Sequence, residues 1–449
     1  MKTILLTVSI SLWVTGFTIA QQNSAIINDK EVISWLKQNA VPIKTIESGN
    51  SFKDLKLLKK TLKDAKIVAL GESTHGTSEF FKMKHRLIAF LVKEMGFTQF
   101  AMEAPIASSV PINEYILYGK GDLYSVVSGQ KYDAWDMEEF ADLIEWLKDY
   151  NSKVPDNKKV HFFGLSMGYN DIGRERTIAY LRKVAPEKIP TVVSLFQILA
   201  KEEEKVFIAQ KESVMLPLLK PYQQFLSEFI AEKDKLIANT SITEWETIYQ
   251  YLKVMEQSIL QAIKSPQSSV TTIQSNRNTY MALNLLNKIE QETTDAKYIV
   301  WAHDYHIGVA GKNKMGYLLR ENFGSQYYSM SFECYRGSFQ AMVLNPDKSF
   351  GPLRAENIST EEKNIDWYFY RTGYDKLFVD LREAHKNMDM NTWMETPQKK
   401  VQGGWPYGGK GAIKVKVVLK DRYDGILFIE ESTPTHPTKA LKRRGTFDN

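Results

Sequence analysis

The sequence is poor in the residues and motifs that announce sulfur or metal chemistry. A single cysteine, Cys334, excludes an intramolecular disulfide and a four-thiolate zinc site. No H-E-x-x-H or comparably tight ligand motif occurs. An excess of one charge sign is also missing, since 58 Lys and Arg face 53 Asp and Glu, a net +5 spread thinly along the chain. The notable basic clusters are Lys420 with Arg422, and Lys439, Lys442, Arg443 and Arg444. They read as solvated faces or a tail, which argues against a nucleic-acid partner. Beyond the first twenty or so residues there is no long apolar run, no internal repeat and no low-complexity tract. At 43% apolar and 25% charged residues, the chain can bury a core large enough to do without disulfides.

The first apolar run has a different purpose. Met1-Lys2 gives a short positive start, Ile4 to Trp13 is mostly apolar, and Thr18-Ile19-Ala20 ends in a small residue. That pattern predicts a cleaved signal peptide over 1–20 rather than an N-terminal anchor, because the run is too short for a membrane span. The mature chain is then expected to be exported, periplasmic or secreted, with no stable membrane insertion. No cysteine follows to accept a lipid.

What the chain does have is a series of short apolar runs that end abruptly in polar residues. Lys66-Ile67-Val68-Ala69-Leu70 runs into Gly71-Glu72, Phe97-Thr98-Gln99-Phe100-Ala101-Met102 into Glu103, and Val160-His161-Phe162-Phe163-Gly164-Leu165 into Ser166. Tyr298-Ile299-Val300-Trp301-Ala302 runs into His303, and Tyr327 to Phe332 into Glu333; Gly425 to Ile429 is the last of the set. Between the first two, Phe80, Met83, Leu87, Ile88 and Leu91 recur at helical spacing behind Thr77 or Ser78 as N-cap. A second helix is expected from Met137 to Tyr150, on Phe140, Leu143 and Leu147. Buried strands alternating with helices predict an α/β fold, a mostly parallel sheet flanked by helices. From 171 to 295 the pattern is helical throughout, which predicts a helical lobe or lid inserted into a core made of 21–170 and 296–449. Gly403-Gly404-Trp405-Pro406-Tyr407-Gly408-Gly409 is expected to be a surface loop.

Ligands of a parallel sheet bind outside the carboxyl ends of its strands. That rule gathers Glu72, His75, Glu103, Ser166, His303 and His306 at one edge, including three of only 7 histidines. In Gly71-Glu72-Ser73-Thr74-His75-Gly76 the glycines are expected to permit a tight turn into a helix start. A carboxylate beside a histidine fixes its tautomer and raises its basicity, which suits a base acting on water. His303-Asp304-Tyr305-His306 places two imidazoles three apart, leaving open whether both face the site or only His303 does. Three other chemistries compete. Gly164-Leu165-Ser166-Met167-Gly168 matches the nucleophile-elbow pattern of a serine esterase. Glu72, His75, His303 and His306 could ligate zinc or manganese. A periplasmic binding protein could use the same cleft without catalysis.

The runs Leu70 to Phe80, Lys84-His85-Arg86, and Gly96-Phe97 leading to Glu103 resemble the signature of the erythromycin esterase family. So do Arg277 with Met281-Ala282-Leu283-Asn284, and Trp301 to Ile307 followed by Met315-Gly316. The resemblance implies a carboxylic ester hydrolase that opens a macrolide lactone ring with histidine-activated water, inactivating the antibiotic, without a required metal or other cofactor. By position His75 would be the base and Glu72 its partner, with Glu103 and His303 also catalytic. Glu79, Lys84, Arg86, His306 and Ser166 would bind substrate or stabilise the transition state. The chain departs from the family where members often carry Arg in place of Lys84, and acids in place of Ser166 and Asn278. The partner implied is a small molecule, a macrolide lactone or other bulky ester.

Overall fold

The computed structural model describes residues 27–49, 51–203, 212–263, 270–292, 295–345, 350–405 and 414–443. The expected signal segment 1–20 lies outside these residues, as do positions 406–409 of the glycine-rich segment. No described helix is long and apolar enough to cross a membrane.

In chain order the strands are β1 (Val41–Pro42), β2 (Ile67–Leu70), β3 (Gln99–Pro105), β4 (His161–Ser166), β5 (Tyr298–Trp301) and β6 (Tyr327–Leu344). They continue with β7 (Phe350–Ser359), β8 (Lys376–Asp380), β9 (Gln398–Val401), β10 (Lys414–Val417) and β11 (Gly425–Ser432). The main sheet runs β1-β8-β11-β6-β2-β5-β3-β4, with β7 paired to β6. The apolar runs singled out above form one contiguous parallel block, from β11 to β4. This is the expected α/β class.

Alternation along each central strand supplies two cores. Val68, Leu70, Ile299 and Trp301 pack on one face with Phe80, Met83 and Leu87 of the helix Ser78–Met95 and Phe140, Leu143 and Leu147 of the helix Glu138–Asn151. Ile67, Ala69, Val300 and Ala302 point the other way, onto Met281, Leu285, Met315, Leu319 and Phe369. With both faces covered, β2 and β5 are buried at every residue, the usual state of central parallel strands.

Several strands had no signature in the sequence. β8 adds an antiparallel neighbour to β11 and β1 one to β8, β7 pairs antiparallel with β6, and β9 with β10 form a separate hairpin. The stretch from 351 to 359 buries only Leu353 and Ile358 strongly, so it carries no continuous apolar run to betray it. β6 extends well past Phe332 to reach it.

Between β4 and β5 the described elements are helical, including Asp171–Val184, Ile189–Glu203, Glu212–Ala231, Ile242–Ile263 and Val270–Gln291. The first four share a core of their own built on Tyr180, Leu199, Tyr222, Phe229, Trp245 and Leu252. The last instead lays Met281, Ala282 and Leu285 onto the sheet.

The helix Ser78–Met95 also buries His85 against the Trp146 ring, with Nε2 lacking a hydrogen-bond partner. Burial, with help from Lys93, pushes its pKa down to about 4 from 6.5. The unfolded chain therefore binds the proton first, and the contribution of His85 to stability is full above about pH 6.5 and lost as pH falls toward 4, up to about 3 kcal/mol. Denaturant titrations at pH 7 and pH 4.5 should show that His85→Leu removes much of the wild type's acid sensitivity in this window. An unchanged pH slope would contradict it.

Candidate active site

The edge where β2, β3 and β5 end is built first by close backbone approach. Gly71 donates its N–H to the Met330 carbonyl at 2.8 Å, and a Cβ there would lie 1.9 Å from Asp304 Oδ1. Gly76 accepts the Gln340 N–H at 2.8 Å, and a Cβ there would lie 1.9 Å from the Gln340 carbonyl. Neither glycine has a positive φ. The requirement is room for crossing strands rather than an unusual turn.

This packing delivers Glu72 to a fully buried position. His75 Nδ1 lies 2.6 Å from Glu72 Oε1, while Oε2 accepts from Lys84 Nζ and, at 3.0 Å, from Trp301 Nε1. Burial alone would raise the Glu72 carboxyl; the Lys84 ammonium and then His75 outweigh it and hold it below the ordinary range. An ionised carboxylate can only accept, so Nδ1 carries the proton of the neutral imidazole. The lone pair is then on Nε2, which has no hydrogen-bond partner among the described residues. Lys84 is capped by the rings of Trp301 at 4.3 Å and Phe332 at 5.3 Å.

A second carboxylate completes the edge. A register shift between Met102 and Pro105 marks an irregularity in β3 at Glu103. Glu103 Oε1 receives Arg277 Nη1 at 2.7 Å and faces His306 Nε2 at 3.1 Å; Oε2 receives the His303 backbone N–H at 2.9 Å. Burial opposes ionisation, but His306 and Arg277 overcome it and hold Glu103 well below the ordinary range. Arg277 also reaches Ser166 Oγ at 3.2 Å and the Tyr132 hydroxyl at 3.3 Å. His306 Nδ1 meets Asn278 Oδ1 at 2.7 Å; that oxygen also accepts the Met315 N–H, so Nδ1 donates to it. His303 Nδ1 accepts the Tyr305 N–H at 3.1 Å, so its proton sits on Nε2, 3.3 Å from the Gly403 carbonyl. Burial first, then neighbouring His75, pushes the His303 pKa well down. The His75 and His303 rings stand 4.8 Å apart, centroid to centroid. Both imidazoles of the 303–306 turn therefore face the site.

Two predicted site residues lie elsewhere. Arg86 follows Lys84 by two positions on a helix, which turns it about 200° away. Its guanidinium is buried on Asp54 at 2.6 Å and on the carbonyls of Thr45 and Ser51. Glu79 faces the C-terminal strap, accepting the Thr433 N–H and hydroxyl, each at 2.7 Å. Ser166 is at the edge as expected, yet among the described residues no imidazole hydrogen-bonds it; Arg277 does. The positive φ values of this turn fall on Gly168 and Tyr169 rather than on the serine. Gly403, expected on a surface loop, is buried, and its N–H holds the Ser73 carbonyl at 2.7 Å. Arg277, noted in sequence but given no role, is the main cation of the site. Among the described residues no three His, Cys, Asp or Glu side chains are grouped as a metal would require.

The sequence model of the erythromycin esterase family matches residues 92–432, a span that begins after the 71–76 turn. The erythromycin esterase type II of Escherichia coli is 25% identical over 427 residues, covering 89% of this chain and 97% of its own. A crystal structure of a Bacillus cereus protein superposes with a TM-score of 0.79 at 25% identity, over 92% of this chain and 100% of that one. A mutant of the erythromycin esterase EreC in its open conformation superposes at 0.66 with 14% identity, over 87% and 97%.

Glu103 would be a buried anion without its counter-charge. Arg277→Met should cost about 3–5 kcal/mol at pH 7. That deficit should shrink as pH falls into the carboxylate range, because protonated Glu103 needs no cation. Thermal unfolding at both pH values measures it, and an equal deficit at each would rule out this account.

Proposed function

Because the chain belongs to the erythromycin esterase family and so to a family of hydrolases, we propose that it opens the lactone ring of a macrolide by water activated on His75. The observation that carries this reading is the state of the His75 ring, with Nδ1 committed to Glu72 and Nε2 free beside Glu103, His303 and His306. Nε2 takes a proton from water, and the resulting hydroxide attacks the lactone carbonyl. Glu72 stabilises the imidazolium that forms, and Lys84 keeps Glu72 ionised while it does so. Arg277 and the Tyr132 hydroxyl supply positive potential for the oxyanion. His75 then returns the proton to the departing alkoxide, leaving a hydroxy acid. Ser166 serves as a partner of Arg277 and forms no acyl intermediate. We further propose export through the 1–20 segment, which a mature N-terminus at Gln21 in the extracytoplasmic fraction would support.

The test is mass spectrometry on macrolides of several ring sizes incubated with purified variants. Wild type should add one water to the ring. His75→Ala should lose on the order of 10²–10⁴ in kcat, whereas Ser166→Ala should keep most activity. Loss in Ser166→Ala with a trapped acyl-serine would install the serine mechanism instead. Activity removed by a chelator and restored by a divalent ion would select a metal mechanism, and substrate retained unchanged in every variant would indicate a binding protein.

A further inference from the structure

Behind the His303 turn lies a second group of charges that the mechanism does not use. Asp304, Glu333, Asp366 and Lys400 are all fully buried, and they come from the helix Asp304–Ile307, β6, the helix Ile365–Tyr370 and β9. Lys400 Nζ donates to Asp304 Oδ2 at 2.7 Å, to Ser331 Oγ at 3.1 Å and to Glu333 Oε1. Ser331 Oγ in turn lies 2.7 Å from Asp304 Oδ2 and 2.5 Å from Glu333 Oε1.

The protons do not suffice if every carboxyl is ionised. Ser331 has one hydroxyl hydrogen and two carboxyl oxygens at hydrogen-bond distance, so one of those contacts needs a proton from the carboxyl side. Charge gives the same answer, since one ammonium faces three carboxyls in a site without water access. The other titratable groups facing the cluster include Tyr423, Cys334, Lys84 and His303, whose pKa is pushed well down, first by burial. Of these only Lys84 is a cation, and it is held by Glu72.

We propose that the cluster holds one resident proton, on Glu333, and that in this state it positions the His303 turn and the Gly403 segment against His75. Two connections transmit the positioning. The Asp304 N–H donates to the Glu72 carbonyl at 3.0 Å, which ties the turn to the 71–76 segment. Lys400 anchors β9, the strand that leads into Gly403, whose carbonyl faces His303 Nε2 and whose N–H holds Ser73. Burial supports the proton's location by pushing the Glu333 carboxyl well up, opposed by Lys400 and reinforced by Asp366 and Asp304. Burial also lifts Asp366, to about 6. None of the four touches substrate, so all are positioning residues. The positioning half rests on the hydrolase reading above; the proton does not.

Two measurements on the full chain decide it. The infrared difference spectrum between wild type and E333Q at neutral pH should contain the carbonyl stretch of a protonated carboxylic acid, lost in the variant. Its absence would overturn the resident proton. Because glutamine mimics the neutral acid, E333Q should keep kcat near wild type. D304N and the double variant K400M/E333Q should lose on the order of tenfold to a hundredfold in kcat with little change in KM. The ¹⁵N side-chain signals of His303 should shift in those two variants and not in E333Q. A folded K400M/E333Q with unchanged His303 signals, or an E333Q as damaged as D304N, would refute the positioning role. If wild type hydrolyses no ester, the functional reading fails, while the infrared and His303 signals still judge this one.

Discussion

The sheet edge depends on keeping one carboxylate, Glu72, ionised with no surface in water. Moving a lone carboxylate out of water costs several kcal/mol even after relaxation, so it persists only with a full complement of donors. Lys84, Trp301 and His75 supply them, from the helix Ser78–Met95, from β5 and from the 71–76 turn itself. Each donor thereby acquires a fixed position. The ammonium cannot leave without stranding the anion, and the imidazole cannot flip without losing its proton acceptor. An imidazole with one defined lone pair follows from the need to satisfy a buried acid.

The second carboxylate extends the same logic across the sheet. Glu103 draws in Arg277, and Arg277 brings Ser166 and Tyr132 into the same network. The two networks meet where His75 stands near His303 and His306. The imidazoles here differ in how their nitrogens are committed. His303 and His306 spend both nitrogens on protein groups, and His75 spends one. That difference, more than nearness to the cleft, sets the His75 ring apart, with one nitrogen left to accept a proton.

Close backbone packing holds these networks in register. The extended β6 passes Gly76, Asp304 sits over Gly71, and the bridge between Thr74 and Gly403 brings β9 to the same turn. Across the other flank, Glu79 and Glu139 bind Thr433 and His436, fastening the C-terminal strap to the helix starts. Acids at helix N-termini, which local electrostatics would explain alone, here also serve as anchors for a distant part of the chain.

The sequence by itself determined the parallel block and the edge of it at which the candidate residues gather. Strands buried on both faces are continuous apolar runs, and their polar ends mark the edge where ligands bind, so both are local signals. It also determined that Glu72 and His75 would be neighbours, because only a short turn separates them. Tertiary structure alone decided the rest. The antiparallel additions β1, β7 and β8 are short or half-exposed, so no periodic pattern exposes them. Lys84 and Arg86 look equivalent in sequence, and helical rotation sends one to Glu72 and the other to Asp54. The Arg277 pairing with Glu103, and that of Lys400 with Asp304, join residues from separate elements far apart in the chain. Such pairings depend on which elements pack together, and the compensation of a buried charge by a distant one leaves no trace in the spacing of either residue.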